Sequence, residues 1–532
     1  RGSHRRTDRQ EAMPKLTIDG REVEVAPGTT LIEAARRLAI HIPHYCYHRG
    51  LSIAGNCRMC LVEVEGVPKM MIACHTQAAD GMVVHTDNDK CREYRAAILE
   101  FILVNHPLDC PVCDQAGECK LQNYYMEHGT AGSRVDEDKV KKRAKAKQIG
   151  PNIMLDSERC ILCSRCVRFT DEITHTHELG ITERADHSEI TLAPGAWLDN
   201  RYAGCVVDLC PVGALTDRDF RFKCRVWYLT AVDSICTGCA RGCNITIHVN
   251  RDRPHKAGGS RVMRYKPREN PAVNQWWMCD AGRYSYKQID HERVDSAAVD
   301  GRPVAVEQAL DASAAALKRA AAAVAVLCAT TATNEELFLA RALFAGALGG
   351  HAAYLAPPQG EQDDLLLLAD QSPNTRGAQE ILGTEVRDPV GWVKAHGVKA
   401  VVVVGEADLT GLKAEVDHLT VIATHPGKAA AQAHVLLPGS VHAEVEGTFT
   451  NHAGRVQRLR VAVPPIRGAV ETWRLLLELA GRLGHPFDFA FEDDIFAALA
   501  SQLAPFAGLS HDNLGRRGAL LGSGAPQPTE VV

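Results

Sequence analysis

The chain has 532 residues, a formal net charge of −5 and a pI near 6.6, too long for one ordinary core and without the basic field that nucleic acid or an anionic bilayer would need. No apolar run approaches the roughly 18 residues that cross a membrane, so any membrane association is expected to come through a partner. Nineteen cysteines, eighteen of them before residue 280, divide it into a thiol-rich and a thiol-poor half.

The opening segment RGSHRRTDRQEA, before Met13, is basic but has no apolar h-region and is not expected to be a secretory signal. KLTIDGREVEV alternates apolar and polar residues around Asp19-Gly20, which predicts a β-hairpin. Thr30 and Glu33 form a T-x-x-E capping box for a helix over LIEAARRLAI. Hairpin, helix and cysteine loop follow in the order of a β-grasp ferredoxin. DKCREYRAAILEFILVNHP reads as a helix stopped at His106-Pro107. Ser133 to Lys147 carries no core and reads as a solvated linker or, alternatively, a docking arm. From about Val304, apolar strands (AVAVLC, KAVVVVG, LTVIAT) alternate with helices, one of them capped by Thr333 and Glu336, as in a parallel, doubly wound sheet. The tail beyond Gly508 is rich in glycine and proline and is expected to be loose.

With no export signal, C-x2-C spacings read as metal sites in a reducing compartment. Cys46, Cys57, Cys60 and Cys74 follow C-x10-C-x2-C-x13-C, a longer-looped version of the plant-type [2Fe-2S] pattern. Gly50 and Gly55 are expected to turn the backbone close to that cluster. HPLDCPVCDQAGEC supplies only Cys110, Cys113 and Cys119, and His106 is the nearest donor for a fourth iron site. A neutral imidazole carries one negative charge fewer than a thiolate and should favour the reduced cluster. Cys160, Cys163 and Cys166, with Cys210 followed by Pro211, match a bacterial [4Fe-4S] run. Thr170 and the misplaced Cys205 leave room for only one such cluster. Cys236, Cys239, Cys243 and Cys279 resemble the [4Fe-4S] pattern that opens molybdopterin enzymes. Four-cysteine zinc is the alternative at the first, third and fourth sets, and at His106 a helix cap or surface residue. Cys91, Cys205, Cys224 and Cys328 read as buried small hydrophobes. Fe–S clusters pass single electrons and take no hydride, and no G-x-G-x-x-G follows a strand here, so a flavin must sit on another subunit.

HPLDCPVCDQAGECKLQ, DLCPVGALTDRDFRFKCRVW and MCDAGRYSY together resemble the large iron-sulfur subunit of bacterial NADH:quinone oxidoreductase, respiratory complex I, from about Leu16 to Gly481. The resemblance implies one [2Fe-2S] and three [4Fe-4S] clusters, supports His106 as a ligand, and implies an electron path from a partner's FMN through the first, third and second sets toward a ferredoxin-like subunit and quinone. The fourth cluster stands apart. HVLLPGSVHAEVEGTFTNHAGRVQ (His434 to Gln457) resembles the molybdopterin oxidoreductase fold, read as a scaffold with no molybdopterin because its one thiol, Cys328, lies in an apolar strand pattern.

The expected architecture is multidomain, α+β and α/β: a β-grasp ferredoxin domain (14–90), a helical cluster segment with one histidine and three cysteines as ligands (91–131), a ferredoxin-like [4Fe-4S] domain (150–222), a molybdopterin-enzyme-type [4Fe-4S] domain (229–285) and a shortened α/β domain (300–507). The expected location is the cytoplasmic face of the bacterial inner membrane, peripheral and held by the other subunits. The alternatives are the electron-relay subunit of a soluble NAD-dependent formate dehydrogenase or NAD-reducing hydrogenase and, in a different class, a multi-zinc interaction or nucleic-acid-binding protein, which the near-neutral charge opposes.

Overall fold

The computed structural model describes residues 13–142, 145–251 and 259–524; the basic leader and the last eight residues lie outside them. The chain divides into two compact units between Trp227 and Tyr228. Among the described residues no helix is long and apolar enough to cross a membrane.

In the first unit, β1 (Lys15–Ile18) and β2 (Arg21–Glu24) form the expected hairpin. Asp19 and Gly20 both take positive φ, +47° and +76°, as a two-residue turn matched to strand twist requires. Leu16 and Ile18 point into the core. With β3 (Leu61–Val64), β4 (Met71–Ile72) and β5 (Val83–His85) they complete a mixed sheet ordered β2-β1-β5-β3-β4. Helix α1 (Leu31–Arg37) lays Leu31, Ile32, Ala34 and Ala35 on the same core.

The expected capping box is absent. Thr30 is extended like an N-cap, but its hydroxyl makes no cap bond, and the Glu33 carboxylate that would complete the box is taken by Arg36, Arg49 and the Tyr47 hydroxyl. Helix α2 (Asp89–Leu103) is capped instead by Asn88, whose side chain accepts from the Cys91 amide, and ends just before His106-Pro107.

Residues 133–142 have few buried side chains, as expected of a linker, yet they are fastened. Lys139 Nζ donates to the carbonyls of Leu103 and Val104 at 2.7 and 2.9 Å, satisfying orphan acceptors at the end of α2, and Asn105 accepts from the Val140 amide. Helix α3 (Lys120–His128) follows the second cysteine set, and α4 (Arg165–Glu172) and α5 (Cys205–Leu209) flank the third.

The second unit opens with an antiparallel sheet of three strands, Thr230–Ile235, Asn244–Val249 and Val262–Pro267, and the short helix α6 (Asp280–Tyr284). Its larger sheet has eight strands. Six are parallel, with Val324–Cys328 and Ala400–Val404 as central neighbours and later strands added outward on both sides; an antiparallel hairpin (Ala297–Val304) closes one edge.

Alternation decides which face each residue covers. Val324, Val326, Val402 and Val404 pack on one side with Leu317, Phe338, Leu476 and Phe496, whereas Leu327, Val401, Val403 and Val421 pack on the other with Val393, Leu412 and Ala429. Both faces are dry, the condition for a parallel sheet. The Thr333/Glu336 capping box is present in both directions. The tail departs from expectation as far as residue 524. Leu509, His511, Leu514 and Ala519 are buried and Ala519–Leu520 pairs with Arg455–Leu459, because its apolar residues complete this core despite the surrounding glycines.

Candidate metal centres

The first set is gathered from two loops: Cys46, Cys57 and Cys60 lie in the connection from α1 to β3, and Cys74 lies just after β4. Contacts between thiols run from Cys57 to Cys46, from Cys46 to Cys74 and from Cys74 to Cys60. The contacts with Cys57 and Cys74 hold the Cys46 thiol well below its usual range, and their counterpart pushes Cys57 and Cys74 up. The Cys46 amide also donates to Cys57 Sγ at 3.4 Å. Of the two glycines expected to shape the loop, only Gly55 takes a left-handed φ, +61°.

The second set wraps the junction of α2 and α3. Cys110 opens a short 3-10 turn, Cys113 ends it and Cys119 precedes α3. Cys113 and Cys119 are buried, while Cys110 is exposed, the only exposed cysteine of the nineteen. Burial pushes Cys119 up to about 11 and raises Cys113, with Cys110 adding to both and Cys113 adding to Cys119.

His106 is held neutral: burial pushes its imidazole down to about 4. Its Nδ1 is buried with no hydrogen-bond partner, which is unusual for a polar atom inside a protein and suits a metal ligand. The Asp109–Arg159 ion pair (2.7 Å) adjoins both His106 and Cys113. A Cβ at Gly213 would lie 2.3 Å from Cys113 Sγ, so the loop after Cys210 can approach this thiol only with glycine there.

The third set lines one cavity. Cys160, Cys163, Cys166 and Cys210 share its wall with Leu155, Ile190, Val212, Ala214 and Leu215, and Cys205 is not among the lining residues, as the spacing predicts. Burial pushes Cys160 and Cys210 up to about 12 and raises Cys163 and Cys166. Amides aim at the sulfurs: Leu162 at Cys160, Val167 at Cys166, and Val212, Ala214 and Leu215 at Cys210. Leu162 and Ser164 hold left-handed φ values of +53° and +58°, conformations uncommon outside glycine and frequent at built sites.

The fourth set lies in the second unit. The Cys236 amide donates to the Cys243 carbonyl at 2.9 Å, and Cys279 caps α6 by accepting from the Gly282 amide at 3.3 Å. A Cβ at Gly282 would meet Cys236 Sγ at 2.9 Å and Cys279 Sγ at 3.4 Å. Burial pushes Cys279 up to about 11 and raises Cys236 and Cys243 further. Cys91, Cys205 and Cys328 are buried, in keeping with their expected role, while Cys224 is half-buried.

Sequence reading missed Gly213 and Gly282. Both stand three residues after a candidate ligand, and that spacing was the available signal. Buried thiols with raised pKa values stay protonated near neutral pH. A bound cation is what converts such a group into thiolates, and amides aimed at sulfur suit iron–sulfur chemistry.

The class these features point to is that of iron–sulfur proteins with 2Fe-2S and 4Fe-4S binding domains. Family models match in the same order: the 2Fe-2S iron-sulfur cluster binding domain over 11–89, the NADH-ubiquinone oxidoreductase-G iron-sulfur binding region over 95–134, the ferredoxin-like domain of NADH-quinone oxidoreductase subunit 3 over 150–216, the molybdopterin oxidoreductase Fe4S4 domain over 229–291 and molybdopterin oxidoreductase over 374–482. The chain is similar to the G subunits of NADH-quinone oxidoreductases.

It is 44% identical to the NADH-quinone oxidoreductase G subunit of Rickettsia bellii over 283 residues (53% of this chain, 40% of the relative). It is 42% identical to the NADH-ubiquinone oxidoreductase 75 kDa subunit of Reclinomonas americana over 284 residues (53% and 40%). The mitochondrial 78 kDa subunit of Neurospora crassa is 42% identical over 288 residues (54% and 38%). The aligned stretch thus spans about two fifths of these relatives' own length. A solved NAD+-reducing [NiFe]-hydrogenase chain in the H2-reduced state is 30% identical, covering 40% of this chain and 92% of that chain, with a TM-score of 0.37.

Proposed function

We propose that this chain relays single electrons in the peripheral arm of an NADH:quinone oxidoreductase. The observation that carries the reading is a shared core. Cys46, Cys119 and Cys163, one from each set of the first unit, are buried in a single apolar cluster with Tyr45, Leu99, Tyr124 and Val212, and Cys57, Cys160 and Cys210 pack against it. Three candidate centres therefore share one dry medium.

Bound Fe–S clusters would supply reversible one-electron transfer. The residues of the chain hold, orient and insulate them. Cys46, Cys57, Cys60 and Cys74 would ligate a [2Fe-2S] cluster in a β-grasp domain (14–90), a reading supported by the five-stranded sheet and α1. His106, Cys110, Cys113 and Cys119 (91–131), Cys160, Cys163, Cys166 and Cys210 (150–222), and Cys236, Cys239, Cys243 and Cys279 (229–285) would each ligate a [4Fe-4S] cluster.

The eight-stranded sheet is read as a scaffold without molybdopterin. In support, Cys328 is fully buried within its central strand, and at the ends of the two central strands a Cβ on Gly405, which follows Ala400–Val404, would lie 2.7 Å from that of Ala329, which follows Val324–Cys328, leaving little room where ligands enter such sheets. Electrons would arrive from an FMN-bearing, NADH-binding subunit and leave to a ferredoxin-like [4Fe-4S] subunit on the cytoplasmic side of the bacterial inner membrane, with ion pumping in the rest of the complex.

Full-length protein purified without oxygen should be brown and hold roughly fourteen irons with matching acid-labile sulfide. Colourless protein rich in zinc would defeat the relay. His106→Cys should retain the second cluster but lower its midpoint potential by about 60 mV or more, a tenfold change for a one-electron couple, because a thiolate adds a negative charge. An unchanged potential and spectrum in a redox titration followed by electron paramagnetic resonance would rule out imidazole ligation.

A further inference from the structure

Helix α4 starts inside the third cysteine set and sends two arginines toward the first. Arg165, 3% exposed, donates through Nη1 to the Leu209 carbonyl at 3.1 Å, next to Cys210, and through Nη2 to the Tyr47 carbonyl, next to Cys46. Arg168 Nη2 donates to the carbonyls of Cys46 at 2.6 Å and Cys163 at 3.2 Å, and its Nη1 to that of Ser52. The partners are neutral oxygens, not carboxylates. Arg165 keeps a further N–H, at Nε, that is buried without a hydrogen-bond partner, and the acidic groups acting on its charge include the thiols of Cys163, Cys210, Cys46 and Cys57, which become anionic when they ligate metal.

A guanidinium buried among carbonyls is poorly compensated, and a charge in that position is costly unless an anion completes it. Carbonyl dipoles alone do not supply a net charge. Cysteine-ligated clusters do, and each gains one more negative charge on reduction.

Resting on the ligand assignment above, we propose that Arg165 is the shared counter-charge of the first and third centres, raising both midpoint potentials together, while Arg168 straps the two ligand loops at a fixed separation. Arg165 is thus a positioning residue for electron transfer. A unit charge about 10 Å from a redox centre changes its reduction equilibrium roughly tenfold at an effective dielectric constant near 20, enough to set the direction of flow between two centres if only one felt it. Sharing the charge keeps the pair level.

The test is a redox titration by electron paramagnetic resonance on the anaerobically purified full chain. Arg165→Gln is expected to lower the reduction equilibrium of the [2Fe-2S] centre and of the third centre about tenfold each, roughly 59 mV for a one-electron couple. Arg165→Lys, which keeps the charge, serves as the reference and should hold both potentials within about threefold of wild type.

Both potentials unmoved in the Gln variant, or only one of them moved, would overturn the proposal. If the Gln variant loses a cluster, the Lys variant decides: a tenfold fall in both centres despite the retained charge would overturn it equally. Absence of these signals from the wild-type chain would instead overturn the ligand assignment itself.

Discussion

Chelating the iron from the purified chain is expected to abolish the cooperative unfolding transition of residues 13–227 while leaving that of the eight-stranded sheet in place. The reason lies in what the first unit uses as a core. Its central apolar cluster is built around candidate ligands, with Cys46, Cys119 and Cys163 buried and Cys57, Cys160 and Cys210 packed against them. Around these are only small sheets of five, three and two strands. Metal-binding free energy is folding free energy where the ligand set does not pre-exist in the unfolded chain, and for structural metal sites it reaches about 10–16 kcal/mol. The sheet of the second unit buries Val324 to Cys328, Val401 to Val404 and the helices on both faces without any ligand. Two thermal transitions in the holo protein should become one after chelation, with new proteolysis in the first 227 residues and around the fourth cysteine set, and the eight-stranded sheet left intact. A persistent first transition would contradict this.

Glu444→Ala is expected to destabilise the second unit by about 3–5 kcal/mol, the cost of breaking a buried pair by removing one partner. Glu444 is fully buried. Its carboxylate accepts from Arg293 Nη1 and Nη2 at 3.1 and 2.9 Å, from Arg261 Nη2 at 2.7 Å, and from the amides of Val441 and Ile466 at 2.9 and 3.2 Å. Alanine would strand the nearly buried Arg293.

Burial alone would raise the Glu444 carboxyl, but the bonds from Arg293 and the Val441 amide outweigh it and the net shift is downward. A depressed carboxyl stabilises the fold above its unfolded value, about 4.3, and loses that contribution as pH falls through the folded value. Urea unfolding of the second unit should therefore weaken below about pH 4 in wild type, and the Ala variant should lack this component. Equal stability of the two proteins at pH 7 would refute the assignment.

Much of the site was legible because cysteine spacing is a local property. Cys160, Cys163 and Cys166 need only one loop to face one cavity, and Cys210 was marked by the proline after it. The hairpin at Asp19-Gly20 and the capped helix after Thr333 were readable for the same reason.

Long-range competition was not readable. Thr30 and Glu33 have capping-box spacing, but Glu33 is claimed by Arg49 and Tyr47 from another segment. Residues 509–524 look loose by composition, yet Leu509, Leu514 and Ala519 complete a core whose strands lie 50 or more residues earlier, and His511 is buried against Phe496. Nothing local in SVHAEVEG announces that Glu444 will meet arginines 151 and 183 positions away. The union of three cysteine sets in one apolar cluster is likewise a tertiary fact.

Cys110 gives the isolated chain an uneven lifetime in air. Oxidation of a cysteine follows thiolate character and access, and every other cysteine is at least partly shielded. Oxygen or peroxide would begin at this one corner, so ageing should be ordered: the centre proposed for His106, Cys110, Cys113 and Cys119 degrades first, while its buried neighbours keep their colour.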